Sequence, residues 1–463
     1  MNKEAYPVYD ALWPLVAMKV LTEDHKPNGW TPAPAPQAAT RVAVIDTSVA
    51  ADHPNLKAAI NRNLAFDLFS TRLGAFPYRG PAERVGQLDL NTSTNVTSGQ
   101  PHSTALLNEL IDRLSAESTC WLGKVQPTAA PEFSSHGTAI CGLVGARPAI
   151  ADTADGHPAP VPGATAVPLP FTGVDPHCEI VPISTNFDPT PESLILAFLY
   201  AELINADIIL LPRTIPDPFR TPPELTEKIG DIALRDLVAP VEISEEEEKA
   251  WHELAQLISN ISLSRPVVCA GGNGQEDAGI YPANLASEHN GVIAVGAVNA
   301  KGYRSGYAPL RGMTIVGPSD DSETFDRTEV RQDTLRHDYT GEGVPSANAN
   351  AKFSHFDVIS TDVPGAHGYS GSPFQSPEED GELREFGSYF CRFGGTSASS
   401  ALVAGFLSLA KSSGALAKTA DGLDAKAWLL GKCASLNEGG EQYPFPVWDD
   451  GEPNFPDPAS PPA

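Results

Sequence analysis

Short apolar runs rich in β-branched residues recur along the chain at 42–45, 180–183, 207–211, 266–269, 292–298 and 313–316. Apolarity within each run is continuous and does not alternate with polar residues. A strand reads this way when both its faces are covered, as in a parallel sheet packed between helices. Helical patterns fall between the runs, near 137–146, 191–204, 246–260 and 397–411. The helix near 246 has a clear start signal. Ser244 stands at the cap, Glu247 completes a capping box, and the acidic run suits the positive helix end. Alternating strand and helix predict a doubly wound, mostly parallel α/β sheet with helices on both faces. Such a sheet places its site at the carboxyl ends of its strands.

The flanks read differently. Residues 1–25 predict a short amphipathic helix around Ala11-Leu12 and Leu15-Val16, broken by Pro14. Residues 26–40, with Pro27, Pro32, Pro34 and Pro36, predict an extended linker. Stretches at about 57–131, 147–170 and 319–352 read as loop insertions on the core. The organisation is then an extension over 1–40, a main domain over 41–435, and an acidic, proline-rich tail over 436–463 that reads as a surface strap or disordered end.

Composition narrows the function classes. At 463 residues, 41% hydrophobic and 19% charged, the chain is ordinary globular material, and its 43 prolines and 39 glycines point to long surface loops. A net charge of −27 argues against a nucleic-acid partner or an anionic membrane surface. No apolar run approaches the ~18–20 residues of a membrane span. The first residues lack a secretory pattern, so a soluble, cytoplasmic protein is expected. Six cysteines without paired spacing read as reduced thiols. No zinc pattern is present, since His252-Glu253-Leu254-Ala255-Gln256 stops one histidine short of the metalloprotease motif.

Four phrases carry candidate chemistry. Val42-Ala43-Val44-Ile45-Asp46-Thr47 ends an apolar strand on an acid, Ser134-Ser135-His136-Gly137-Thr138 opens a helix on a base, and Gly394-Gly395-Thr396-Ser397-Ala398 opens another on a hydroxyl. Val267-Val268-Cys269-Ala270-Gly271-Gly272-Asn273 ends a strand near an amide. A serine hydroxyl needs a neighbouring base to become a nucleophile, and an imidazole needs an acid to hold its tautomer. Each residue alone has a structural reading as a cap, turn or packing residue. Together, in the order Asp, His, Ser, they resemble the subtilisin-like serine proteases, the subtilase family of peptidases.

That resemblance covers most of 41–435 outside the insertions. It implies a serine endopeptidase with Ser397 as nucleophile, His136 as general base and Asp46 orienting it. Asn273 would join the Ser397 backbone N–H in the oxyanion hole. Pro212, Arg213, Thr214, Gly271 and Gly272 would line the substrate. The insertion at 57–131 accounts for the wide separation of Asp46 and His136. No cofactor is required; calcium is common in the family but cannot be placed here. Peptides or proteins are the expected substrate, and a dedicated protein partner is allowed.

Three positions depart from the family pattern. Ser48 replaces a glycine, which costs little where φ is negative, and Ala401-Leu402 stand where a helix proline is usual. Pro212-Arg213-Thr214 replaces Ser-Leu-Gly beside the substrate. Proline removes an N–H there, and Arg213 reads either as a solvent-facing loop residue or as a cation turned into the cleft. This departure keeps open a second reading, a catalytically weak subtilase-fold binder of peptides or a partner. Residues 1–40 are further expected to lie across the cleft as an inhibitory strap.

Overall fold

The computed structural model describes residues 10–32, 39–68, 72–73, 84–85, 90–91, 101–116, 120–121, 132–152, 154, 165–186, 189–215, 217–220, 228–229, 232–233, 244–320, 322–324, 330–332, 356–364, 368–369 and 389–456. One sheet organises them. Its strands are β1 (Arg41–Asp46), β2 (Phe66–Asp67), β3 (Arg72–Leu73), β4 (Glu179–Ser184), β5 (Ile208–Leu211), β6 (Val267–Ala270), β7 (Val292–Val298) and β8 (Ile315–Pro318). They lie in the order β8-β7-β6-β5-β1-β4-β2-β3, and all but β3 run parallel. The chain adds β4 on one side of β1 and β5 on the other, so the winding reverses at β1. A crevice opens at the carboxyl ends of the strands where such a reversal occurs.

Helices cover both faces. They are α1 (Trp13–Ala17), α2 (Pro101–Ala116), α3 (Glu132–Gly145), α4 (Pro191–Leu203), α5 (Glu245–Ser264), α6 (Gly395–Ser413) and α7 (Gly422–Gly431). Val42 and Val44 of β1 pack with Ile140 of α3 and Leu402 and Phe406 of α6. The intervening Ala43 and Ile45 pack with Leu107 of α2, Phe198 of α4 and Leu254 of α5. Successive side chains of one strand thus enter two cores, which is why the strands read as unbroken apolar runs. Ser244 caps α5 as expected, its hydroxyl accepting from the Glu247 N–H at 3.1 Å.

Helix α6 is buried from Gly395 to Ser412. Its small residues are a packing requirement: a Cβ on Gly405 would lie 2.7 Å from Val174 Cβ. No helix among the described residues is long and apolar enough to cross a membrane.

Several expectations change. The stretch 57–131 is not wholly an insertion. Leu64 and Phe66 enter the core with β2, and Leu107, Leu110 and Leu114 bury one face of α2. His102 lies in the first turn of α2. The stretch 147–170 closes with Ala149–Asp152 paired antiparallel to Ala166–Leu169, and most of 319–352 lies outside the described residues.

The two flanks belong to the fold. Cys433–Glu438 and Glu441–Pro446 form an antiparallel hairpin, here β11 and β12, which follows a smaller pair, β9 (Ile359–Thr361) and β10 (Phe390–Arg392). Beyond the hairpin the Trp448 N–H donates to the Met18 carbonyl at 2.9 Å and the Asn454 N–H to the Ala17 carbonyl at 3.1 Å. Trp13, Leu15, Met18 and Val20 are buried in the α6 core, and Trp30 packs edge-on against His177, just before the amino end of β4. Residues 10–32 are therefore not a strap across the cleft but a piece of the core, because their apolar side chains find cover against α6 and the tail. The rest of the expected strap, residues 1–9 and 33–38, lies outside the described residues. Pro14 does not break the helix; it sits in the first turn of α1, where its missing N–H costs nothing.

Candidate active site

Asp46 ends β1 at the reversal point and is fully buried. Its Oδ1 accepts the Thr47 N–H at 2.7 Å. The His136 imidazole comes to the same carboxylate, with Nδ1 2.9 Å from Oδ1 and 2.8 Å from Oδ2. An ionised carboxylate only accepts, so Nδ1 carries the proton and Nε2 is left as the basic nitrogen.

Gly137 makes this approach feasible. A Cβ there would lie 2.6 Å from the Thr47 carbonyl oxygen, so only glycine lets α3 touch the end of β1. Three hydroxyls then fix the helix: Thr47 Oγ1 accepts the Gly137 N–H at 3.1 Å, Thr138 Oγ1 accepts the Ala50 N–H at 2.9 Å, and Thr361 Oγ1 of β9 donates to the Thr138 carbonyl at 2.8 Å. Burial pushes the Cys141 thiol of α3 well above its usual range, and the charge of Asp46 pushes it further.

Ser397 is the third residue of α6 and 8% exposed. Phe393, just before that helix, packs edge-on against the His136 ring at 5.2 Å between centroids. The segment that leads into α6 therefore touches the imidazole. Among the described contacts no hydrogen bond joins the Ser397 hydroxyl to the imidazole. Such bonds are often long in a resting site and tighten around substrate.

Asn273 lies beside the same helix start. Its Oδ1 accepts the Thr396 N–H at 2.8 Å and the Thr396 hydroxyl at 2.9 Å. The Thr396 N–H can only donate, which settles which end of the amide is oxygen. The other end, Nδ2, lies over Gly395, where a Cβ would come within 2.9 Å; the Gly395 φ of +81° excludes most other residues as well. A further network, not foreseen from sequence, holds this turn from below. The Tyr307 hydroxyl accepts the Gly395 N–H at 3.0 Å and donates to Asp320 Oδ1 at 2.9 Å, and Ser319 Oγ donates to the Gly395 carbonyl at 3.1 Å. Only folding brings residues 307–320 here, so no local signal marks them.

The wall residues divide. Gly271 is a tight spot, where a Cβ would lie 2.9 Å from the Val295 carbonyl oxygen. Gly272 has φ +134° and faces the Glu276 carboxyl. Pro212 is buried and Thr214 half-buried after β5. Arg213 corrects one expectation: it is not a solvent-facing loop residue. Its side chain is 6% exposed, with Nη1 3.9 Å from Asp46 Oδ1 and donating to the Asn186 carbonyl at 3.2 Å. Ser48 is absent from the positive-φ residues, so its side chain is tolerated, and α6 runs unbroken past Ala401-Leu402. Among the described residues no group of three or more metal-ligating side chains gathers.

Residues 37–442 match the model of the subtilase family of peptidases. The chain belongs to the subtilase family. Its sheet, with helices on both faces, is the subtilisin-like α/β fold, and the family is one of serine peptidases acting on peptides or proteins. No curated protein matches its sequence. Similar solved structures include a cold-adapted subtilisin-like serine proteinase, 11% identical over 95% of this chain and 98% of that one, with a TM-score of 0.45. The nisin leader peptidase NisP of Lactococcus lactis is 13% identical over 93% of this chain and 91% of its own, with a TM-score of 0.47. A lanthipeptide protease is 13% identical over 92% and 88%, with a TM-score of 0.48.

Proposed function

We propose that this subtilase is an active serine endopeptidase working through an acyl-enzyme on Ser397. The Asp46–His136 hydrogen bond carries the reading, because it commits Nδ1 to the acid and leaves Nε2 to take the serine proton. The deprotonated Oγ attacks the scissile carbonyl carbon, and the carbonyl oxygen takes up negative charge. The Asn273 Nδ2 and the Ser397 backbone N–H receive that oxygen. Two donors set in advance spare the reorganisation that water would need. His136 then returns the proton to the leaving amine, the C–N bond breaks, and the acyl group stays on Ser397. Water, activated by the same imidazole, hydrolyses the ester and restores the hydroxyl.

A fluorophosphonate probe tests this directly. Wild type should label and Ser397→Ala should not, and cleavage of a peptide library should disappear in the same variant. A second reading, a weakly catalytic binder of peptides, draws on Pro212, which supplies no N–H to an extended substrate beside it. Peptide binding with no labelling in either protein would favour that reading.

A further inference from the structure

Asp46 poses an electrostatic problem that its hydrogen bonds alone do not solve. It is wholly buried, and moving a carboxylate out of water costs several kcal/mol without a compensating charge. Whenever the imidazole is neutral, as a general base must be before it acts, His136 and the Thr47 N–H supply dipoles but no positive charge. The sheet supplies a cation by register. Val44 pairs with Leu210 on β5, so Arg213 emerges just past the level of Asp46; Asp46 pairs with Ser184 on β4, so Asn186 emerges on the other side. The two loops meet at the guanidinium, which bonds the Asn186 carbonyl and lies 3.9 Å from the carboxylate.

We propose, building on the peptidase reading above, that Arg213 is a positioning residue of the relay. It is a resident counter-ion that holds the Asp46 carboxylate ionised and aligned while His136 is neutral, and it makes the Asp46–His136 pair take up its proton at lower pH. When His136 receives the serine proton, a second cation arrives at a carboxylate already paired with one. The two positive charges oppose each other, so the imidazole stays unprotonated, and competent as a base, further into acid. Among the described residues, the titratable and charged groups facing Asp46 are His136 and Cys141 from α3 and Arg213 from the loop after β5; the thiol is held neutral by its burial. A guanidinium suits the task, since it keeps its charge when buried where an ammonium loses it more readily. A leucine-like residue at this position, as the family pattern has, would leave the acid without this partner.

The test is a histidine NMR titration of the full chain, which does not depend on turnover. The imidazole signal of His136 should titrate about 1 pH unit higher in Arg213→Met than in wild type, because removing a nearby like charge favours the imidazolium. The pair should shift upward whichever atom carries the proton. Arg213→Lys, which keeps a cation but a more easily lost one, should titrate between wild type and Arg213→Met. Should the methionine variant fail to fold, Arg213→Gln, neutral and able to bond the Asn186 carbonyl, is read in the same way. An unshifted titration in a folded neutral variant would overturn the proposal and leave Arg213 a packing residue. Fluorophosphonate labelling reports separately: labelling without a shift rejects the counter-ion alone, and a shift without labelling rejects the peptidase reading alone.

Discussion

Two buried carboxylates lie near opposite ends of helix α6. Asp46 is close to its first turn, through His136 and Phe393, and Asp175 touches its last turns. Both are fully buried, yet their company differs. Asp175 Oδ2 accepts the hydroxyls of Ser408 and Ser412 at 2.6 and 2.9 Å, and Oδ1 accepts the His177 N–H at 3.0 Å. Burial raises its pKa, and these donors recover only part of the shift. Asp46 instead faces an imidazole and a guanidinium, either of which can carry positive charge. Equal burial therefore does not make equal chemistry. An acid among hydroxyls fastens a helix, whereas an acid between two potential cations can respond to a proton moving nearby.

Substitution at each carboxylate separates these roles most sharply. Asp46→Asn should lower the labelling rate by about 10⁴-fold, since the amide no longer holds the reactive tautomer of His136, while the chain stays folded. Next in size is the donor beside Ser397. Asn273→Ala should slow acylation by about 10²–10³-fold with little change in substrate affinity, read as kcat falling while KM holds.

Two glycines that pack against the neighbours of these carboxylates, Gly137 on Thr47 and Gly405 on Val174, offer a matched pair. Gly137→Ala and Gly405→Ala both force a Cβ into contacts under 3.0 Å, and each should cost about 1–3 kcal/mol in denaturant unfolding. Only the first moves His136, so only Gly137→Ala should also slow labelling, by about 10²-fold for a displacement near 1 Å. Equal activity losses in both would erase the distinction between the two carboxylates.

The smallest effect belongs to Asp175→Asn. A carboxyl with a raised pKa in the folded state binds its proton there more tightly than in the unfolded chain. Its contribution is present in acid and is lost as pH rises from the usual carboxylate range toward the raised value. The asparagine variant escapes that loss. Its thermal stability relative to wild type should improve from pH 4 to pH 7, with labelling unchanged at neutral pH.

Much of this fold was legible before any coordinates. The six apolar runs coincide with β1 and β4 to β8, since a strand covered on both faces leaves an unbroken apolar record. The Ser244 cap was readable because its partner, the Glu247 N–H, is only three residues away. Elements whose partners are remote were misjudged. Residues 10–32 looked like a loose strap because nothing nearby covers Trp13 or Met18; their cover comes from α6 and from Trp448, more than four hundred residues onward. The hairpin of β11 and β12 was hidden in a proline-rich tail for the same reason.

The candidate site divides along the same line. Residue type and chain order proposed Asp46, His136, Ser397 and Asn273, because each chemical role admits few side chains and each stands at the end of a recognisable element. Arg213 had two sequence readings, solvent or cleft, and its burial 3.9 Å from Asp46 overturns the first. Where a long side chain points depends on the register of β1 with β4 and β5 and on the field of a buried carboxylate. Local patterning along the chain determined which elements form and which residues are chemically able. Distances between residues far apart in sequence, and the charges a buried group meets there, were decided only when the sheet closed.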